Sequence, residues 1–244
     1  MEGTRTGAHQ FPTTRWSVVR HALQAPDEQS SRALGSLCEA YWFPLYAYVR
    51  RSGKSSHDAE DLVQGFFEQL LRTGSLGAAD PDRGKLRTFL LTCLRNYLSD
   101  QFDKENAAKR GAGRPSISLD EEYARTRYEK CSVDTATPDE IYQRQWALAV
   151  LEHALQQMRT EFSARGEEAA FEVFRPFLGF GTGPEQSYEE AAQKLALSTG
   201  TVKSRVFRLR QRWRDLVVEV VGRTLGDPDP QSIRDELMDL IGYV

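Results

Sequence analysis

Apolar residues recur along this chain at steps of three and four, and no stretch keeps the alternation that a half-buried strand requires. The pattern predicts an all-α protein. Thr13 or Thr14 can cap a short helix with Trp16, Val19 and Leu23 on one side. A longer helix follows from about Asp27, its core side marked by Leu34, Leu37, Tyr41, Leu45 and Tyr48, with Pro44 set to bend it. Ser55 or Ser56 caps the next, over residues 57–72, where Leu62, Val63, Phe66, Phe67, Leu70 and Leu71 form a broad apolar face. A fourth runs over about 85–104 and turns Leu86, Phe89, Leu90, Cys93, Leu94, Tyr97, Leu98 and Phe102 inward.

The period then fails. Residues 105–136 are rich in Gly, Pro, Ser and balanced charge, which marks a linker too long for a loop inside one domain. Thr137, Pro138 and Glu140 restart helix as N-cap, first turn and capping-box partner, ahead of Ile141, Leu148, Leu151 and Leu155. Phe171, Phe174 and Phe177 imply a helix over about 169–178. Ser187 with Glu190 is a second capping box, opening a short helix that carries Ala191, Ala192 and Leu195 inward and stops near Leu197. Ser198 caps the helix after it, whose Val202, Val206, Leu209 and Trp213 form one stripe. A last helix lies near 233–241. The organisation expected is two helical domains on a flexible linker: 11–104, linker 105–136, a helix-turn-helix domain 137–225 and an acidic extension 226–244.

Charge changes the picture at two places. The chain of 244 residues has a net charge of −3, which by itself argues against nucleic acid. Residues 1–225, however, carry 31 Lys/Arg against 30 Asp/Glu, and residues 226–244 carry 1 against 5. The acidity sits in the tail, while the helix after Ser198 bears Lys203, Arg205, Arg208, Arg210, Arg212 and Arg214 with no acid among them. A helix built for solubility intersperses Glu with its cations; this one suits phosphates. Ser198, Thr199, Thr201, Lys203 and Ser204 add small polar groups near its start, where a recognition helix meets the major groove. The tail reads either as a packed helix with a solvated face or as a shield over that basic surface.

The helix over 57–72 opens with Asp58, Glu60 and Asp61, which the helix dipole alone could explain, but its exposed side continues through Gln64, Gly65 and Glu68. That strip can dock a partner, with Gly65 allowing close approach. On the helix over 85–104, Arg87, Thr88, Thr92, Arg95, Asn96 and Ser99 share the side opposite the core, a mixture that fits nucleic acid as well as solvent. The aromatic group Tyr41, Trp42, Phe43, Tyr46 and Tyr48 either packs on a neighbour or stays partly exposed as a platform. His57, Asp58 and Glu60 lie within one turn with no convergent element or phosphate cradle, so an enzyme is not indicated. Cys38, Cys93 and Cys131 have neither disulfide nor zinc spacing; no metal or cofactor is expected, and reduced cytoplasm is the expected compartment. No run suits a leader or a membrane span.

Taken together, YWFPLYAY at 41–48, DAEDLVQ at 58–64, LRTFLLTCLRNYLSD at 86–100, and SYEEAA and GTVKSR within 187–206 resemble the second and fourth regions of bacterial RNA polymerase sigma factors of the extracytoplasmic-function type. The resemblance implies that Asp58, Glu60, Asp61, Gln64 and Glu68 dock on the clamp of the largest polymerase subunit. It implies that Arg87, Thr88, Arg95, Asn96 and Ser99 handle the −10 element as single strand. Ser198, Thr199, Thr201, Lys203, Ser204, Arg205, Arg208 and Arg212 would then read the −35 element as duplex. Polymerase core and promoter DNA are the implied partners, with an anti-sigma factor or a regulatory kinase as further candidates and a non-initiating sigma mimic as the alternative. Gly65 stands where the family often has an acid, Asp103 where it often has a cation, and residues 161–186 are a longer insert than usual.

Overall fold

In the computed structural model the described residues are 28–79, 85–107, 124, 126–129, 135–179, 186–225 and 229–243, and every regular element among them is helical. The expected helix at 13–23 lies outside them. The elements are α1 (Glu28–Arg51), α2 (Ser56–Arg72), α3 (Leu86–Ala107), α4 (Pro138–Ala164), α5 (Glu168–Phe174), α6 (Tyr188–Leu195), α7 (Thr199–Thr224) and α8 (Pro230–Tyr243), with 3-10 turns at Ser75–Ala78 and Arg175–Leu178. No described helix is long and apolar enough to cross a membrane.

Helix boundaries follow local chemistry. α1 runs on through Pro44 and closes at Gly53, whose φ of 92° is open to glycine at no cost; the Gly53 and Lys54 amides donate back to the Arg50 and Val49 carbonyls. Ser55, and not Ser56, caps α2, its hydroxyl accepting the Asp58 amide at 3.1 Å. Thr137 and Glu140 close the capping box of α4, the Thr137 amide donating to Glu140 at 2.7 Å and the Glu140 amide to Thr137 at 3.3 Å. Glu140 is held below the usual carboxylate range by those Thr137 bonds, backbone first.

The chain divides into two compact units, residues 1–149 with 222–244, and residues 150–221. The expected segments do not coincide with them, because the first half of α4 and the whole of α8 group with α1, α2 and α3. Ile141, Tyr142 and Trp146 are buried, Tyr142 donating its hydroxyl to the Arg87 carbonyl at 2.8 Å. The core of this first unit also holds Leu37, Tyr41, Leu45, Val63, Phe66, Leu90 and Leu94. Of the aromatic group, Tyr41, Phe43 and Tyr46 are buried, so the packing alternative holds. Part of the expected linker joins them. Residues 126–129 are helical, the Tyr128 ring meets Tyr46 edge-on at 6.3 Å, and Arg127 lies over Phe43 at 4.2 Å.

In the second unit α6 is followed across a short turn by α7. That turn passes through Ala196 at φ 50°, the one described non-glycine in the left-handed region. Val202, Val206 and Leu209 are buried as expected, with Trp213 half-buried, and Phe171 and Phe174 of α5 lie in the same unit's core.

Candidate binding surfaces

The acidic strip on α2 is narrower than its sequence. Asp58 is taken up by the cap, receiving the Ser55 hydroxyl at 2.7 Å, and Glu60, half-buried, receives the Ser56 hydroxyl at 3.1 Å. Asp61, Gln64 and Glu68, at steps of three and four, remain on one accessible face: Asp61 is exposed beside His57 at 3.6 Å, and Gln64 donates to the exposed Glu68 at 3.2 Å. Gly65 does not leave room for a partner. A Cβ there would lie 2.4 Å from the Tyr97 hydroxyl, so the missing side chain admits a ring from α3 that also packs edge-on against Phe66 at 5.9 Å.

On α3, Thr88, Arg95, Asn96 and Ser99 are exposed as expected, but Arg87 is not. Its side chain is 5% exposed. Nε and Nη2 meet both oxygens of Glu236 from α8 at 2.9 and 3.0 Å, Nη1 donates to Gln143, and the guanidinium sits 4.6 Å from the Trp146 ring. The sequence pattern put Arg87 outside because α3 alone gives it a polar position; Glu236, 149 residues away and itself 1% exposed, supplies the charge that offsets the desolvation of burial. Lys85 bonds Glu236 and also Asp239 at 2.5 Å, while exposed Arg95 pairs with Asp139 and donates to the Tyr48 hydroxyl at 3.2 Å. Asp239 is held below the usual carboxylate range, mainly by the Lys85 hydrogen bond. Phe102, expected in the core, is 60% exposed, and Leu91 is buried in its stead. The suggestion that the tail shields the basic helix gains nothing from these contacts, since the acids of α8 meet α3.

The basic helix α7 is capped by Ser198, which accepts the Thr201 amide at 3.1 Å and shares a 2.8 Å hydroxyl contact with Thr201. Ser204 turns back to the Gly200 carbonyl at 3.0 Å, Lys203 lies 5.6 Å over the Tyr188 ring, and Thr199 is half-buried. Arg205 and exposed Arg208 take no carboxylate among the described residues, and with Thr201 and Ser204 they recur at three- and four-residue steps on one side of the helix. Arg212 departs from expectation. It is clamped by Glu161 through Nε at 3.1 Å and Nη2 at 2.6 Å, and by Glu219 at 3.0 Å. Those bonds, Glu161 first, hold its guanidinium still more firmly charged. Arg210 likewise donates to the Phe177 carbonyl at 2.9 Å. Two of the six cations therefore brace the unit.

No group of three or more His, Cys, Asp or Glu that could hold a metal occurs among the described residues. Cys38 is half-buried, and burial, with the nearby Glu39 charge adding, pushes its thiol up to about 11. Cys131 lies outside the described residues.

Residues 37–108, which span most of α1 and all of α2 and α3, match the family model for sigma-70 region 2. Over these residues the chain is similar to the sigma-70 family. An ECF RNA polymerase sigma factor, SigE of Mycolicibacterium smegmatis, is 27% identical over 175 residues, covering 72% of this chain and 58% of that protein. The chain thus spans under two thirds of that relative's length. No solved structure matches it. Sigma-70 region 2 takes in the acidic strip of α2 and the exposed face of α3, whereas Asp139, Glu236 and Asp239 lie beyond it.

Proposed function

We propose that this chain is a sigma factor that brings RNA polymerase core to specific promoters and helps open their −10 region. The observation that carries the reading is the sigma-70 region 2 match over residues 37–108, in one chain with a basic helix, capped by Ser198, that follows α6 across a short turn. Asp61, Gln64 and Glu68 form the polymerase-facing strip, with Asp58 and Glu60 shaping the start of that helix. Thr88, Arg95, Asn96 and Ser99 hold the melted strand: unstacking a base step costs a few kcal/mol, so opening is favourable only where exposed bases and phosphates find new partners. Ser198, Thr201, Lys203, Ser204, Arg205 and Arg208 meet the −35 duplex, phosphate contacts setting register and the small polar groups reaching base edges.

Purified chain added to bacterial core polymerase and a library of promoter fragments tests this. Promoter-dependent transcripts with selected −35 and −10 sequences are expected. Polymerase binding without any promoter-dependent start would instead identify a non-initiating sigma mimic.

A further inference from the structure

Every Lys or Arg of the segment 85–95, at the N-terminal part of α3, is held by an acid from outside region 2: Lys85 by Glu236 and Asp239, Arg87 by Glu236, Arg95 by Asp139. α8 is the element that supplies most of that charge. Beside those ion pairs it packs a modest apolar side, Leu240 buried with Ile233 and Leu237 half-buried, while Met238 and Ile241 stand 65% and 71% exposed. Across α3, meanwhile, Thr88, Asn96 and Ser99 remain open beside the covered cations.

We infer that Lys85 and Arg87 form a phosphate-binding site for the nucleic-acid backbone, covered in the free protein by α8, whose Glu236 and Asp239 occupy it as carboxylate stand-ins for phosphate. Arg87 donates from Nη2 to one Glu236 oxygen at 3.0 Å and holds the other within ion-pair range of Nε at 2.9 Å, presenting to the carboxylate the same charged N–H edge it can present to a phosphodiester. Lys85, bridging Glu236 and the half-exposed Asp239, is the point at which a competing anion can enter from solvent. A strand laid along the open face of α3 brings its own phosphates to these cations and displaces α8. The cover keeps this part of α3 from holding nucleic acid indiscriminately in the free chain. This inference rests on the reading of α3 as a nucleic-acid surface, and its test needs no polymerase.

The full-length wild type and the E236Q/D239N variant are titrated with a fluorescein-labelled mixed-sequence single-stranded DNA 20-mer across a salt series. With no carboxylates to displace, Lys85 and Arg87 of the variant meet phosphate directly, and binding roughly tenfold tighter than wild type is expected near 0.1 M salt. Unchanged affinity in a variant with wild-type helical content, or no binding by either protein, overturns the inference. Hydrogen exchange of wild-type residues 230–243 with the same 20-mer guards against a variant that fails to fold. Faster exchange in α8 on binding supports displacement, and unchanged protection at saturation overturns it. A chain that shows unmasking yet starts no transcript keeps this inference and loses the proposed function; a chain that initiates but shows no unmasking does the reverse.

Discussion

Gly65 gives the sharpest test of how α2 and α3 pack, because two explanations of one glycine predict opposite signs. A helix-interior Gly costs about 1 kcal/mol relative to Ala, so if Gly65 served only to let a partner approach, Gly65→Ala would stabilise the free protein by about that amount. A methyl group at this position, however, would stand 2.4 Å from the Tyr97 hydroxyl, on a ring that is 8% exposed and packed against Phe66, leaving it little room to retreat. Overpacking of this kind costs about 1–3 kcal/mol, so the net expectation is destabilisation of about 1 kcal/mol, a fall in Tm of about 3 °C for a unit of this size. The next Tyr97 atom is 3.5 Å away, ordinary van der Waals contact. In a Tyr97→Phe background, therefore, Gly65→Ala should become stabilising by up to about 1 kcal/mol. Thermal and urea unfolding of the four proteins measures the cycle, and a Gly65→Ala protein more stable than wild type in the Tyr97 background refutes the steric account.

Arg208→Ala should weaken binding to a −35 duplex and flatten its salt slope by about 0.9, whereas Arg212→Ala, already committed to Glu161 and Glu219, should leave the slope unchanged and cost at most about 1 kcal/mol of stability, both partners being partly exposed; duplex titrations across salt with parallel denaturation separate the two. Cys38, with its thiol pushed up to about 11, should alkylate about a hundredfold more slowly at pH 8 than a free cysteine, read by peptide mass spectrometry, and modification at the free-cysteine rate would contradict its burial. Because that thiol binds its proton more tightly folded than unfolded, its contribution to stability is present below about pH 9 and is lost as pH rises to about 11, which alkaline unfolding curves of wild type and Cys38→Ala would register.

How much of this is legible in the sequence depends on how far away the decisive partner lies. Thr137 with Glu140, and Ser187 with Glu190, are caps formed across three residues, and both form as expected. The stripe of Val202, Val206 and Leu209 is likewise set by the period of a single helix. Periodicity misplaces Arg87 and Arg212 because the acids that hold them arrive from 149 and 51 residues away, and a helical wheel carries no information about such partners. The same limit applies to Tyr128, whose segment lacks an apolar period but meets a ring already set in α1. Gly65 reads as an opening for a partner because its occupant, Tyr97, sits on another helix. Net charge misleads in a similar way: Glu236 and Asp239 of the acidic tail engage Lys85 and Arg87 and are not left to solvent alone.

Whether the exposed carboxylates of α2 grip the transcription machinery is the question on which the proposed function most directly depends. Full-length wild type and an Asp61→Asn/Glu68→Gln variant, the latter checked for wild-type helical content and −35 duplex affinity, are each passed over a sizing column with bacterial core polymerase. Co-elution of the wild type and its loss, or at least a roughly tenfold weaker association, about 1.4 kcal/mol, in the variant is the predicted result. A wild type that never travels with the polymerase, or a variant that travels with it equally well, contradicts the claim.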